Sequence, residues 1–313
     1  MSVFQARSVF LALALACLAL PRAADAGTLY VANRDSNTVA TYNGTTGALI
    51  IGWFITGLNN PWGMTRDSDG NFYIANINGN SVGKYGPDGV AINASLISIS
   101  SPTGILADAS GRLFVTTGGT VGTYNATTGA VINATFISGL NTPRGMVLDN
   151  AGNLFVADYN GGTIGTYNAS TGAAINASLI TGLTTPRDLT FDANGTLYVS
   201  SIGNNGVRAY NASTGAPVTG PVLGSITNTW GIAFDEANNF FVSAYFAGNV
   251  AKLTASGTTI SNPLIGSLGA AGPTTLIYIV PEPGVGRLAG IALAAGCVFR
   301  FRRRARGPNA AGD

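Results

Sequence analysis

The 313-residue chain contains no histidine. Histidine triads, histidine-ligated zinc and histidine acid–base catalysis are therefore excluded before any fold is considered. The two cysteines, Cys17 and Cys297, lie near the ends, so the stretch from Gly27 to Val280 can form no disulfide, thiolate nucleophile or cysteine metal site. Charge is scarce too, at 10% of residues. Basic residues crowd the ends (Arg7, Arg22, Arg287, Arg300, Arg302, Arg303, Arg304, Arg306), leaving 8 basic against 11 acidic residues between Gly27 and Val280. That balance offers no basic face for nucleic acid. Glu236 is the only glutamate in the same stretch.

What the chain has in quantity is glycine, 43 residues of it, with many Asn, Thr and Ser, beside a 46% hydrophobic fraction. Turn formers on this scale, with ample material for a core, predict an all-β protein of many short hairpins.

The ends differ from the body. Arg7 precedes an apolar run from Val9 to Leu20, then Pro21 and the small-x-small triplet Ala24-Asp25-Ala26. This is the pattern of a signal peptide over residues 1–26, cleaved between Ala26 and Gly27. A buried helix would need a polar face or cap that is missing, and Cys17 lacks the surroundings of a lipidation site. At the other end come Val280-Pro281-Glu282-Pro283, an apolar stretch from Leu288 to Phe299, and a basic cluster from Arg300 to Arg306. This order resembles the PEP-CTERM sorting signal of Gram-negative bacteria. The resemblance implies recognition of Pro281, Glu282 and Pro283 by an exosortase-type processing enzyme, and a transient anchor in the inner membrane over residues 281–306, in bacteria that make extracellular polysaccharide. The uninterrupted apolar run of 12 residues is short for a span of about 20, so Val285, Gly286 and a snorkelling Arg287 would have to contribute. The basic cluster would remain cytoplasmic, and residues 307–313 read as a disordered tail.

Between the ends the chain repeats itself. Tyr42-Asn43, Tyr124-Asn125, Tyr167-Asn168 and Tyr210-Asn211 recur, with Tyr85-Gly86 as a degenerate copy, and Asp67, Asp108, Asp149, Asp192 and Asp235 follow at spacings of 41, 41, 43 and 43. One unit runs from Thr142 to Ile180 as four apolar segments separated by Gly, Asn and Asp, without helical periodicity. Four short antiparallel strands in about 43 residues make one propeller blade. Runs such as Leu154-Phe155-Val156 need cover on both faces, which stacked blades supply; a solenoid would need capping repeats that are not seen. The first unit begins at Thr28, as a second strand, and the last segment, Thr274 to Val280, has the start of a first strand. The spacing therefore predicts a six-bladed propeller over residues 27–280, closed by a C-terminal strand that completes the first blade. The repeat, Pro-x-Gly followed by an apolar stretch to Asp, then Gly-Asn, an apolar-aromatic-Val-Ala run and Tyr-Asn, resembles the NHL-type repeat, a pattern specific for a propeller and nearly silent about chemistry.

Among propellers that the resemblance brings to mind, virginiamycin B lyase-like and amidating lyase-like enzymes rely on histidine, which this chain lacks. The gluconolactonase and regucalcin group holds a divalent ion with acidic and amide residues, and nothing here matches its N-terminal glutamate ligand. Asp67-Ser68-Asp69-Gly70 has the start of a calcium loop, but the equivalent turns lack the second carboxylate and read as Asx-type hairpin devices. Eight Asn-x-Ser/Thr triplets, at Asn43, Asn93, Asn125, Asn133, Asn168, Asn176, Asn194 and Asn211, recur mostly at two fixed places in the repeat and read as turn chemistry rather than glycan acceptors. Gly118-Gly119 and Gly161-Gly162 open no helix and are not phosphate loops. No cofactor or metal is expected.

The remaining candidate is one position per blade, at the start of the innermost strand: Trp62, Thr103, Arg144, Arg187, Trp230 and Thr274. These should surround one channel mouth with the loops of Arg34, Asn76, Asp158, Tyr159, Asn204, Asn205 and Tyr245. Trp62, Thr103, Arg144, Arg187 and Trp230 are taken as ligand-binding, since indoles suit sugar faces and guanidinium groups suit carboxylates; otherwise they plug the channel. The expected function is an exported, non-catalytic binding or scaffold protein of the envelope or matrix, with exopolysaccharide or an envelope protein as partner. The alternative is a metal-dependent hydrolase or lyase working without histidine.

Overall fold

The turn chemistry of the repeat sets the strand boundaries. In the computed structural model, which describes residues 27–203, 206–218, 226–269 and 272–280, the aspartate of each hairpin turns its own backbone. Asp108 Oδ1 accepts the N–H groups of Ser110 and Arg112, and Asp149, Asp192 and Asp235 do the same two and four residues on. Asp67 accepts from the Asn71 backbone and amide and from the Tyr73 hydroxyl, so its carboxylate serves the turn. The asparagines of the triplets act likewise: Asn43, Asn125, Asn168 and Asn211 each accept two backbone N–H groups at 2.8–3.0 Å.

These turns separate short strands. The first three are β1 (Thr28–Asn33), β2 (Thr38–Asn43) and β3 (Leu49–Ile55). A second blade holds β4 (Pro61–Arg66), β5 (Phe72–Asn76), β6 (Ser81–Tyr85) and β7 (Ala91–Ser98). The third comprises β8 (Ile105–Ala107), β9 (Arg112–Thr117), β10 (Thr120–Asn125) and β11 (Val131–Ile137), and the fourth β12 (Pro143–Leu148), β13 (Asn153–Asp158), β14 (Thr163–Asn168) and β15 (Ala174–Ile180). The fifth has, among the described residues, β16 (Pro186–Phe191), β17 (Thr196–Ser201) and β18 (Gly206–Asn211), with an isolated bridge between Tyr210 and Pro217. The sixth is β19 (Thr229–Phe234), β20 (Phe240–Ala244), β21 (Asn249–Leu253) and β22 (Thr259–Ile265), and β23 (Pro273–Ile279) ends the described chain but for Val280. The sheets are antiparallel, and the first has the order β23-β1-β2-β3. The C-terminal strand thus completes the first blade, with Thr28 opposite Ile279 and Val31 opposite Leu276.

The innermost strands β4, β8, β12, β16, β19 and β23 contact one another in cyclic order, so the six blades form a closed ring. Hydrophobic clusters fill the blade junctions: Phe114 packs with Leu154 and Val156 between the third and fourth blades, and Phe155 with Leu197 and Val199 between the fourth and fifth. Each such side chain contributes about 1.5–3 kcal/mol by leaving water. Outer strands have no neighbour beyond them, so Ile50, Ile92, Ile132, Ile175 and Ile260 stay exposed at the rim.

Close approach of the inner strands fixes one residue type. A Cβ on Gly104 would lie 2.0 Å from the Arg144 carbonyl oxygen, so only glycine lets the third blade reach the fourth. The signal peptide (residues 1–26), the sorting segment with Pro281, Glu282 and Pro283, the tail 307–313, and Asn204 and Asn205 lie outside the described residues. Gly27 is described, and Ala26 is not. Among the described residues no helix is long and apolar enough to cross a membrane.

Candidate functional site at the channel mouth

Each inner strand delivers its first side chain after the proline, or that proline's equivalent, to one end of the channel. Four of the six positions meet there. Trp62 and Trp230 contact edge to face, with centroids 5.1 Å apart. The Arg144 guanidinium lies 4.2 Å from the centre of the Trp62 ring and 5.0 Å from that of Tyr159. Arg187 sits 3.6 Å over Trp230 and 4.7 Å from Tyr159, whose hydroxyl it bonds at 3.3 Å. The opposite side of this cluster is held by Tyr245, stacked on Trp230 at 3.9 Å, and by Arg34, which bonds the Tyr245 hydroxyl.

The expected sugar platform is not formed. Trp230 is 6% exposed, its ring occupied by Arg187 and Tyr245, and Trp62 is engaged by Arg144 while its indole N–H donates to Asn60. The indoles hold guanidinium groups in place instead of offering faces to a ligand. Thr103 and Thr274 serve the ring itself. The Thr103 hydroxyl donates to the Pro143 carbonyl of the next blade, and that of Thr274 to Ala32 and Pro61. Asn76 and Asp158 fasten their own entry loops through the N–H groups of Asn59 and Asn141.

The arginines are the unusual part. Nε and Nη1 of both Arg144 and Arg187 are buried without hydrogen-bond partners, as is the Trp230 indole N–H. Among the described residues no carboxylate pairs with either arginine; the ion pairs are Arg112–Asp108 and Lys252–Asp235. Burial pushes the Arg144 guanidinium down to about 10, and the charge of Arg187 adds to this. Arg187 is also lowered to about 10 by burial, with Tyr159 and Tyr245 opposing and Arg34 adding. A buried, uncompensated pair of like charges is costly, and a bound anion would relieve it.

A residue that the sequence reading passed over lies beside them. Asp188 lines the same cavity as the ring and accepts only backbone donors, the N–H groups of Leu189 at 3.0 Å and Ile232 at 3.1 Å. Burial raises its carboxyl to about 6 from 3.8. The folded state therefore holds this proton more tightly than the unfolded one, and stability falls as pH rises from 3.8 to about 6. For Asp67, Asp108 and Asp235 burial is outweighed by hydrogen bonds that lower the carboxyl, so their contribution has the opposite sign and lies at lower pH. Asp188→Asn is expected to flatten the upper segment of the pH–stability curve and leave the lower one; denaturant melts from pH 3 to 8 check this, and an unchanged upper segment refutes it.

No family model matches the chain, and no curated protein does. Solved structures do. A crystal structure of a nidogen/laminin complex aligns with a TM-score of 0.68 at 18% identity, covering 81% of this chain and 98% of that one. A protein of unknown function from Bacteroides caccae gives 0.65 at 14%, covering 82% and 99%. A catalytically inactive histidine-to-alanine variant of virginiamycin B lyase from Staphylococcus aureus, with quinupristin, gives 0.54 at 16%, covering 70% and 77%. At these identities the likeness concerns the fold: the chain is a six-bladed β-propeller.

Proposed function

We propose that this protein is an exported, non-catalytic binding propeller of the bacterial envelope or extracellular matrix, whose arginine cluster at the channel mouth takes an anionic ligand, acidic exopolysaccharide in the first instance. The observation that carries the reading is the Arg144–Arg187 pair, largely buried, with unpartnered N–H donors and no carboxylate partner among the described residues. Charge-assisted hydrogen bonds to carboxylate are the strongest ordinary use of such a group. Export rests on the pattern of residues 1–26, and processing by an exosortase-type enzyme on Pro281, Glu282 and Pro283 with the apolar and basic segments after them. The NHL-type repeat supplies the frame. Enzymatic readings find less support: the chain has no histidine, and among the described residues no three acidic side chains come together. The test is binding of acidic and neutral polysaccharides to the full chain. Acidic polymer should bind, more weakly as salt rises from 50 to 500 mM yet not to zero, because buried pairs are poorly screened. Equal binding of the neutral polymer, or none of the acidic one, refutes the proposal.

A further inference from the structure

From the ring residues inward, the inner strands line a cavity of about 240 Å³. That is the scale of one six-carbon acid. The position after the ring residue is Gly63, Gly104, Gly145 and Gly231 in four blades and Thr275 in a fifth. The four glycines are sterically required, since a Cβ would fall 2.0–2.6 Å from the next blade's ring carbonyl. In the remaining blade the residue is Asp188. Its link to the Ile232 N–H does not explain it. The equivalent amides of Ile105 and Leu276 lie against Gly63 and Gly231, where no acid stands. Each Asp188 oxygen accepts one backbone N–H, and a carboxylate has about four acceptor sites, so acceptor capacity remains. The cavity is therefore lined by Arg144, Arg187 and Trp230, whose buried N–H donors lack partners, and by a carboxylate that can still accept, among apolar walls that include Met64, Met146 and Leu189.

We infer that this cavity is a site for a single compact hydroxy-carboxylate of sugar-acid size, its carboxylate held by Arg144 and Arg187 and a hydroxyl donated to Asp188. The inference rests on the proposed anion binding and names the ligand unit that fills the channel. A plain carboxylate satisfies the guanidinium groups and leaves Asp188 unused, while a neutral sugar does the reverse. Only a ligand with both groups answers both ends.

The experiment is calorimetric titration of the full chain with glucuronate, glucose, acetate and an acidic polysaccharide. Glucuronate is expected to bind at least about tenfold more tightly than glucose or acetate. Arg187→Gln should remove that binding, and Asp188→Asn should reduce glucuronate to the level of acetate. The ligand panel on the unaltered chain stands alone if either variant fails to fold. Glucose equal to glucuronate would overturn the carboxylate contact, and acetate equal to glucuronate would overturn the hydroxyl contact. Polymer binding without glucuronate binding overturns this inference and leaves the proposed function standing; the absence of both overturns the two together.

Discussion

A chain without Pro273–Ile279 is expected to lose its cooperative thermal transition and to associate. This strand is the inner member of the first blade, and its removal takes more than one pair of strands. Leu276 lies in the junction cluster with Leu29, Val31, Phe241 and Val250. Tyr278 stacks on Phe241 at 5.2 Å, and the Thr274 hydroxyl reaches both Ala32 and Pro61, linking the first blade to the second. Without β23 the inner ring has a gap, the apolar face toward the sixth blade opens to water, and β1 presents an unpaired edge that templates association. The remaining ties across this junction, such as Lys252 Nζ to the Gly44 carbonyl at 2.9 Å, are too few to replace a strand. A circular-dichroism melt with sedimentation velocity reads the outcome directly: a monomer with native melting would show that the ring does not depend on this strand. Leu276→Ala provides the graded version, at a cost of about 2–4 kcal/mol.

Most of this architecture was legible in the sequence because turns repeat chemically. Asp108, Asp149, Asp192 and Asp235 each perform the same two backbone contacts, so a 41–43-residue spacing of one residue type, begun at Asp67, marked five of the six blades. The incomplete first unit and the surplus last one defined closure, as the β1–β23 pairing shows. The site was half legible. Repeat alignment located the six ring positions, since variation stood out against Pro and Gly. It could not show that Arg187 of the fifth blade would cover Trp230 of the sixth, a contact that follows from the radius of the ring, or that Tyr245 after β20 would stack on the other side of that indole. Thr103 and Thr274 turned inward to neighbouring carbonyls for the same reason. Asp188 was legible as well, as an aspartate in a column otherwise made of four glycines and Thr275.

Arg144→Met is expected to raise the melting temperature while weakening anionic-ligand binding, a pairing of effects that a merely structural arginine would not give. Arg144 makes ring contacts with Trp62 and Tyr159, but its buried Nε and Nη1 have no partner. A methionine keeps an unbranched side chain of adaptable shape against those rings and removes a desolvated charge that repels Arg187. Even a buried ion pair can be replaced by apolar volume at no cost or at a gain of about 1–4 kcal/mol, and a guanidinium without an anion has less attraction to lose; for a domain of this size each kcal/mol is about 2–4 °C. The pH dependence provides an internal check. The folded-state guanidinium is lowered from 12.5 to about 10, so between those values the unfolded chain binds more protons and stability of the parent rises with pH. Below about 10 the penalty is fully present. The advantage of Arg144→Met should therefore be constant from pH 6 to 9 and shrink above 10, a difference in which the raised tyrosines, Tyr73 and Tyr278 among them, cancel. Loss of one of two guanidinium contacts should weaken acidic-polysaccharide binding by about tenfold or more. If the variant melts lower and binds as the parent does, the cationic side chain is there to fill the channel, and the anion reading of the mouth fails with it.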